Sequence, residues 1–142
     1  MRSLLDVNVL IALLDADHSL HGKATTWLKA NAAAGWASCP LTQNGCLRIM
    51  STATYRQPHS VQTVAVRLAE ACATDLHQFW PDDFSMLDIR NVDTSRVHGS
   101  KQITDIYLLA LAVKHGGRLV TFDGSIARTA VMGAGPKHLE TI

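Results

Sequence analysis

Glutamate is nearly missing from this chain: Glu70 and Glu140 are the only two among twelve acidic residues, so an acidic site here has to be built on aspartate. Cysteine is also scarce. Cys39, Cys46 and Cys72 are odd in number and form no CxxC pair, which fits reduced thiols in a cytoplasm. They read as small buried hydrophobes, with a reactive thiol as the alternative. No apolar run reaches the length of about 18 residues that a membrane helix needs. Nor is there a charged-then-apolar leader with a small-residue cleavage site. A soluble, cytoplasmic protein with no membrane association is expected. The net charge of +1 predicts no global attraction to polyanions, so any nucleic-acid site must be a local patch. No repeat, low-complexity tract or linker divides the chain. Its 142 residues, 47% hydrophobic, make one domain spanning 1–142 with a real core.

What is present alternates between strand and helix patterns. "SLLDV" reads as a short buried strand and "NVLIALLD" as the helix that follows. The spacing predicts a helix from about Ser19 to Ala34 with Leu20, Ala24, Trp27, Leu28 and Asn31 on one face, ended by Gly35. "WASCP" is a second strand stopped by Pro40. "LTQNGCLRIMS" is a third helix, and "SVQTVAVRLAEACATD" a fourth with Val61, Val64, Leu68 and Cys72 as its stripe. "HQFWPDDFSMLD" suggests a short strand around Phe79 and a turn at 81–83. "ITDIYLLALAVKHGG" is apolar almost all round and so central, "RLVTFD" is a strand, and "HLETI" a short terminal one. This alternation implies an α/β fold with a mostly parallel sheet.

Asp6 lies inside the apolar run "LLDVNVL", where an unpaired carboxylate is costly. The reading above places it at the C-terminal end of the first strand, and Asp123 ends "RLVTFD" in the same way. Ligand crevices of open parallel sheets lie beyond those ends. Asp105 falls in the first turn of the central helix, where the helix dipole favours a negative charge. Taken singly, Asp123 is also compatible with a turn residue, and Asp105 with a dipole partner. Together, three converging carboxylates repel one another and raise at least one pKa unless a cation balances them. Mg²⁺ or Mn²⁺ suits such a hard oxygen site, and a site of this kind can activate water and stabilise the charge of an in-line attack on a phosphodiester.

"LLDVNVLIALL", "TDIYLLALA" and "LVTFDGSI", in this order and spacing, resemble the PIN domain. More narrowly, with "DHSLHGKATTWL", "CPLTQNGCLRIMS" and "FWPDD", the chain is similar to the VapC toxins of bacterial toxin–antitoxin pairs over nearly its whole length. The resemblance implies a PIN-like fold, a parallel sheet flanked by helices. It also implies metal-dependent endoribonuclease activity on tRNA, rRNA or mRNA, with Asp6, Asp105 and Asp123 as the catalytic, metal-holding residues. Asn8 would support Asp6, and Thr121 would line the pocket beside Asp123. The resemblance further implies a homodimer and a cognate VapB-like antitoxin that blocks the site. An acidic pocket attracts a cation, so the antitoxin's C-terminal segment is expected to insert an Arg or Lys among the aspartates. Its apolar residues would lie in a groove formed by the first helices.

One position departs from the family pattern. PIN nucleases usually carry a fourth acidic residue on the helix that "LTQNGCLRIMS" matches, and here Gln43 is the best-aligned residue, with Asn44 next. Gln43 can hydrogen-bond in the pocket but adds no charge. Either three aspartates suffice, or the protein is a weakly active or non-catalytic RNA-binding module. Arg48, Arg56, Lys101 and Arg128 are candidates to hold RNA phosphates at the rim, with ordinary surface charges as the alternative. His18 and His21 find no convincing third metal ligand and read as exposed residues at a helix start. The tryptophans read as core, while Tyr55 is left between core, dimer face and antitoxin groove. A phospho-accepting regulator also places carboxylates at strand ends, but it wants a lysine after a late strand, and Asp123 is followed by "GSIART".

Overall fold

In the computed structural model, which describes residues 1–142, five short parallel strands form one sheet. They are β1 (Ser3–Leu5), β2 (Trp36–Ser38), β3 (His77–Phe79), β4 (Arg118–Thr121) and β5 (Leu139–Thr141), in the order β3-β2-β1-β4-β5. Five α-helices accompany them: α1 (Val7–Leu14), α2 (His21–Asn31), α3 (Pro40–Met50), α4 (Val61–Cys72) and α5 (Ile103–Lys114). The α/β reading of the sequence is the architecture found. No helix is long and apolar enough to cross a membrane.

Strand alternation divides the core into two layers. Leu4, Ala37 and Leu119 point to one face of the sheet, where α5 packs with Ile106, Leu108, Leu109 and Leu111. Their neighbours Leu5, Trp36 and Val120 point to the other face, against α1, α3 and α4. A period of two along each strand produces both layers. Leu4, Leu5, Leu119 and Val120 are wholly buried, and each contributes about 1.5–3 kcal/mol of transfer free energy. α5 is buried almost all round, as its composition predicts.

Local signals set the joints. Asp6 caps α1, its Oδ1 accepting the Val7 N–H at 2.6 Å. Pro40 stops β2 and also opens α3 as its first residue, where its missing N–H costs nothing. Gly45 lets α3 lie against α1, since a Cβ there would sit 2.6 Å from Val7 Cγ2. Gly35 adopts φ 75° after the turn that follows α2, and a Cβ would fall 2.9 Å from the Leu76 carbonyl. The three cysteines are free thiols, Cys39 and Cys46 buried and Cys72 half-buried.

Some boundaries and faces differ from expectation. α2 begins at His21 and ends at Asn31, with a separate 3₁₀ turn over Ala32–Ala34, so Leu20 precedes the helix. Val61 is 56% exposed and does not belong to the α4 stripe, which narrows to Val64, Leu68 and their half-buried neighbours Ala71 and Cys72. The reason is positional: Val61 is the first residue of the helix, beyond the edge of the layer it covers. Trp36 and Trp80 are core residues. Trp27 is half-buried, and its indole N–H donates to Glu140 Oε1 at 2.8 Å.

Candidate active site

The strand order reverses between β1 and β4, which are hydrogen-bonded neighbours although most of the chain separates them. Connections leaving these two strands diverge, and a crevice opens at their C-terminal ends. Asp6 follows β1 directly. It is 6% exposed, and both carboxylate oxygens are engaged: Oδ1 by the Val7 N–H, Oδ2 by the Thr121 hydroxyl at 2.6 Å. Thr121, fully buried at the end of β4, in turn accepts from Asn8 Nδ2 at 3.2 Å and from the Asp123 N–H at 3.0 Å. Its single donor and both acceptor sites are thereby used. Asn8 and Thr121 therefore orient Asp6.

Asp105 stands in the first turn of α5 and shares with Asp6 a cavity of about 560 Å³. Asn8, Asn44, Arg48, His18 and Tyr55 also line it. Burial, then the charges of Asp6 and Asp123, push the Asp105 carboxyl up to about 6. Asp6 is likewise raised, chiefly by burial and partly by Asp123, against the opposing pull of Thr121 and Val7. Asp123 differs. Its Oδ1 accepts the Ser125 N–H at 2.7 Å and the Ser125 hydroxyl at 2.6 Å, which hold its pKa below the usual range. Asp123 is near enough to act on the other two through its field but does not line the cavity.

The expected placement of Gln43 needs correcting. Its amide donates to Ser38 Oγ at 3.0 Å, at the end of β2, and it is Asn44 that lines the cavity. Successive helical residues point about 100° apart, so only one of the two can face the carboxylates. Neither glutamate compensates: Glu70 is exposed, and Glu140 pairs with Arg118 at 2.7 Å. Of the four basic candidates, Arg48 lines the cavity. Arg56 borders an adjoining cleft and donates to the Asp17 carbonyl, while Lys101 and Arg128 line neither. His18 is also placed differently from expectation. It precedes α2 and lines the cavity, whereas His21 Nδ1 lies 2.7 Å from the Ala12 carbonyl. No spacing rule marks His18 or Tyr55 as cavity residues; only the return of the chain after α3 brings Tyr55 beside α1.

Whether these residues suit a divalent cation is decided by the donor set. No three carboxylate, imidazole or thiol side chains stand close enough to form a protein-only cage. Mg²⁺, however, is commonly held through one or two carboxylates and its own waters. Asp6 and Asp105 supply two hard oxygen donors to one cavity, and nothing in the chain neutralises Asp105. That set fits the ion.

The five-stranded parallel sheet with its flanking helices matches the PIN-domain fold. Residues 3–132 match the PIN domain model, and the chain belongs to that family, in its VapC branch. It is 54% identical over 142 residues to Ribonuclease VapC44 of Mycobacterium tuberculosis, covering all of both chains. It is also 40% identical over 134 residues to Ribonuclease VapC39 of the same species, covering 94% of this chain and 96% of that one. Among solved structures, VapBC2 of Rickettsia felis bound to a promoter DNA fragment superposes with a TM-score of 0.64 at 11% identity. That match covers 99% of this chain and 98% of the other. The sarcin-ricin-loop-cleaving toxin VapC20 of M. tuberculosis gives 0.59 at 16%, covering 94% and 99%. Both structures share the fold.

Proposed function

We propose that the protein is the ribonuclease toxin of a VapBC-type toxin–antitoxin pair, acting in the cytoplasm. In this reading it hydrolyses RNA phosphodiester bonds with Mg²⁺ or Mn²⁺ held by its aspartates. The observation that carries this reading is the shared cavity of Asp6 and Asp105, with the Asp105 carboxyl unpartnered and raised to about 6. The relatives named as ribonucleases support the activity, and they lend nothing to a non-catalytic module.

Each residue then has a defined task. Asp6 and Asp105 would hold the cation, which when bound lowers the pKa of water and offsets the charge that develops on phosphate. Thr121 and Asn8 keep the Asp6 carboxylate in one orientation. Asp123 adds negative field from outside the cavity, which favours a cation between the other two. Arg48, on the cavity wall, is placed to meet an RNA phosphate. Arg56, Lys101 and Arg128 serve the same polyanion more remotely.

The partner is a VapB-like antitoxin. Beside α1 and α2 lies a second cavity of about 450 Å³, walled by Leu10, Leu13, Leu14 and Leu28. It suits the apolar face of a bound helix, while a basic side chain of the same partner would neutralise Asp6 and Asp105. The toxin itself is expected to be a homodimer. The test is cleavage of a tRNA, rRNA and mRNA panel with Mg²⁺, with Mn²⁺ and with chelator. Cleavage should need the cation and stop with equimolar antitoxin; chelator-resistant cleavage would defeat the reading.

A further inference from the structure

The cavity beside Asp6 and Asp105 continues into two smaller clefts, and Tyr55 lines all three. One cleft, of about 340 Å³, is shared with Arg48 and Thr52; the other, of about 240 Å³, with Asp15, His18 and Arg56. Part of the Tyr55 ring packs on the core layer formed by α1 and α3. Its hydroxyl donates to Asp15 Oδ2 at 2.5 Å, and the other Asp15 oxygen accepts the Asp17 N–H at 3.0 Å. Burial and the Asp15 carboxylate hold the phenol at about 12, so it stays neutral and its proton is committed. With the hydroxyl engaged by Asp15, what Tyr55 offers a ligand is its aromatic surface.

Beside Asp15, the ring is bordered by a histidine and two arginines. His18 Nδ1 accepts the Leu20 N–H at 3.1 Å, which leaves the imidazole proton on Nε2 as a donor. Arg48 lines the main cavity and one cleft, and Arg56 borders the other. An aromatic ring flanked by guanidinium groups is how single-stranded nucleic acids are held without reading a duplex: bases stack and phosphates meet cations. Recognition of RNA sequence likewise concentrates on unpaired bases stacked on aromatic side chains.

We propose that Tyr55 is a specificity-determining residue that stacks the unpaired base of a nucleotide flanking the scissile phosphate, with His18 and Arg48 as its polar partners. The inference rests on the ribonuclease reading and adds to it the side chain that would stack a flanking base.

The test is a coupling experiment. A fluorescein-labelled single-stranded RNA that the parent protein cleaves is compared with copies made abasic at each nucleotide flanking the cut. Tyr55→Leu should raise KM about tenfold, the loss expected for one stacked base, with kcat changed less than twofold, and Tyr55→Phe should restore KM. One abasic copy should bind the parent equally poorly, and Tyr55→Leu should cost nothing further on that copy. Binding measured on an Asp105→Asn background separates affinity from chemistry. Parent protein that cleaves every abasic copy with unchanged KM overturns the proposal, whether or not Tyr55→Leu folds. Equal losses in Tyr55→Leu and Tyr55→Phe also overturn it, because the Asp15 hydrogen bond rather than the ring would then be responsible. Parent protein that neither binds nor cleaves RNA overturns the ribonuclease reading together with this one.

Discussion

The Thr121 hydroxyl donates to Asp6 Oδ2 at 2.6 Å across 115 positions of sequence, joining the end of β4 to the end of β1 inside the core. The bond gives a buried carboxylate a fixed direction, and through Asn8 and the Asp123 backbone it organises the floor of the cavity.

Thr121→Val keeps the side-chain volume but leaves Asp6 Oδ2 without its donor. An unsatisfied buried acceptor costs about 1–3 kcal/mol, so the urea midpoint of the metal-free protein should fall accordingly. The Asp6 pKa should rise further, since the hydroxyl lowers it. Unchanged stability would mean that the Asp6 carboxylate is oriented by other contacts.

The helix carrying Gln43 and Asn44 makes a second expectation specific. Asn44→Asp places a carboxylate on the cavity wall and should tighten Mg²⁺ or Mn²⁺ binding roughly tenfold, about 1.4 kcal/mol. Gln43→Glu puts its charge beside Ser38, whose hydroxyl sits 3.0 Å from the present amide, and should change the metal dependence little. Titration calorimetry of both variants decides between the positions, and the reverse ranking would return the role to Gln43.

These two positions show where sequence reading stops. The strand pattern of "SLLDV" and "RLVTFD", and the acid at each strand end, follow from period-two apolar runs that physics leaves little room to place otherwise. So does α5, whose apolar girth demands burial. The phase of α3 is different. Its buried residues are Thr42, Gly45, Cys46 and Met50; Thr42 and Gly45 carry little hydrophobic signal, so the face of Gln43 is not legible. Asp123 lies two residues beyond the end of β4 rather than within the strand, and its turn through Ser125 draws the carboxylate out of the cavity. His18 and Tyr55 reach the site through loops, where long-range packing rather than local pattern sets position.

Asp105 makes the metal-free protein sensitive to pH. Its carboxyl lies near 6 in the folded chain against 3.8 for the free group. A raised folded pKa favours the folded state fully below the unfolded value, and that contribution is lost as pH rises through the folded value. Asp105→Asn removes the loss. Its thermal midpoint without metal should match the parent near pH 4 and exceed it above about pH 6.5. An advantage independent of pH would mean that the burial and the neighbouring charges that raise the Asp105 carboxyl are not the cause.

The account stands or falls on cleavage by single carboxylate variants at saturating Mg²⁺ or Mn²⁺. Asp6→Asn and Asp105→Asn, folded by circular dichroism, should each abolish RNA cleavage. Asp123→Asn, whose side chain lies outside the cavity, should retain some cleavage and need more metal to reach it. Parent-level cleavage by Asp105→Asn would contradict the assignment of the cavity as the active site.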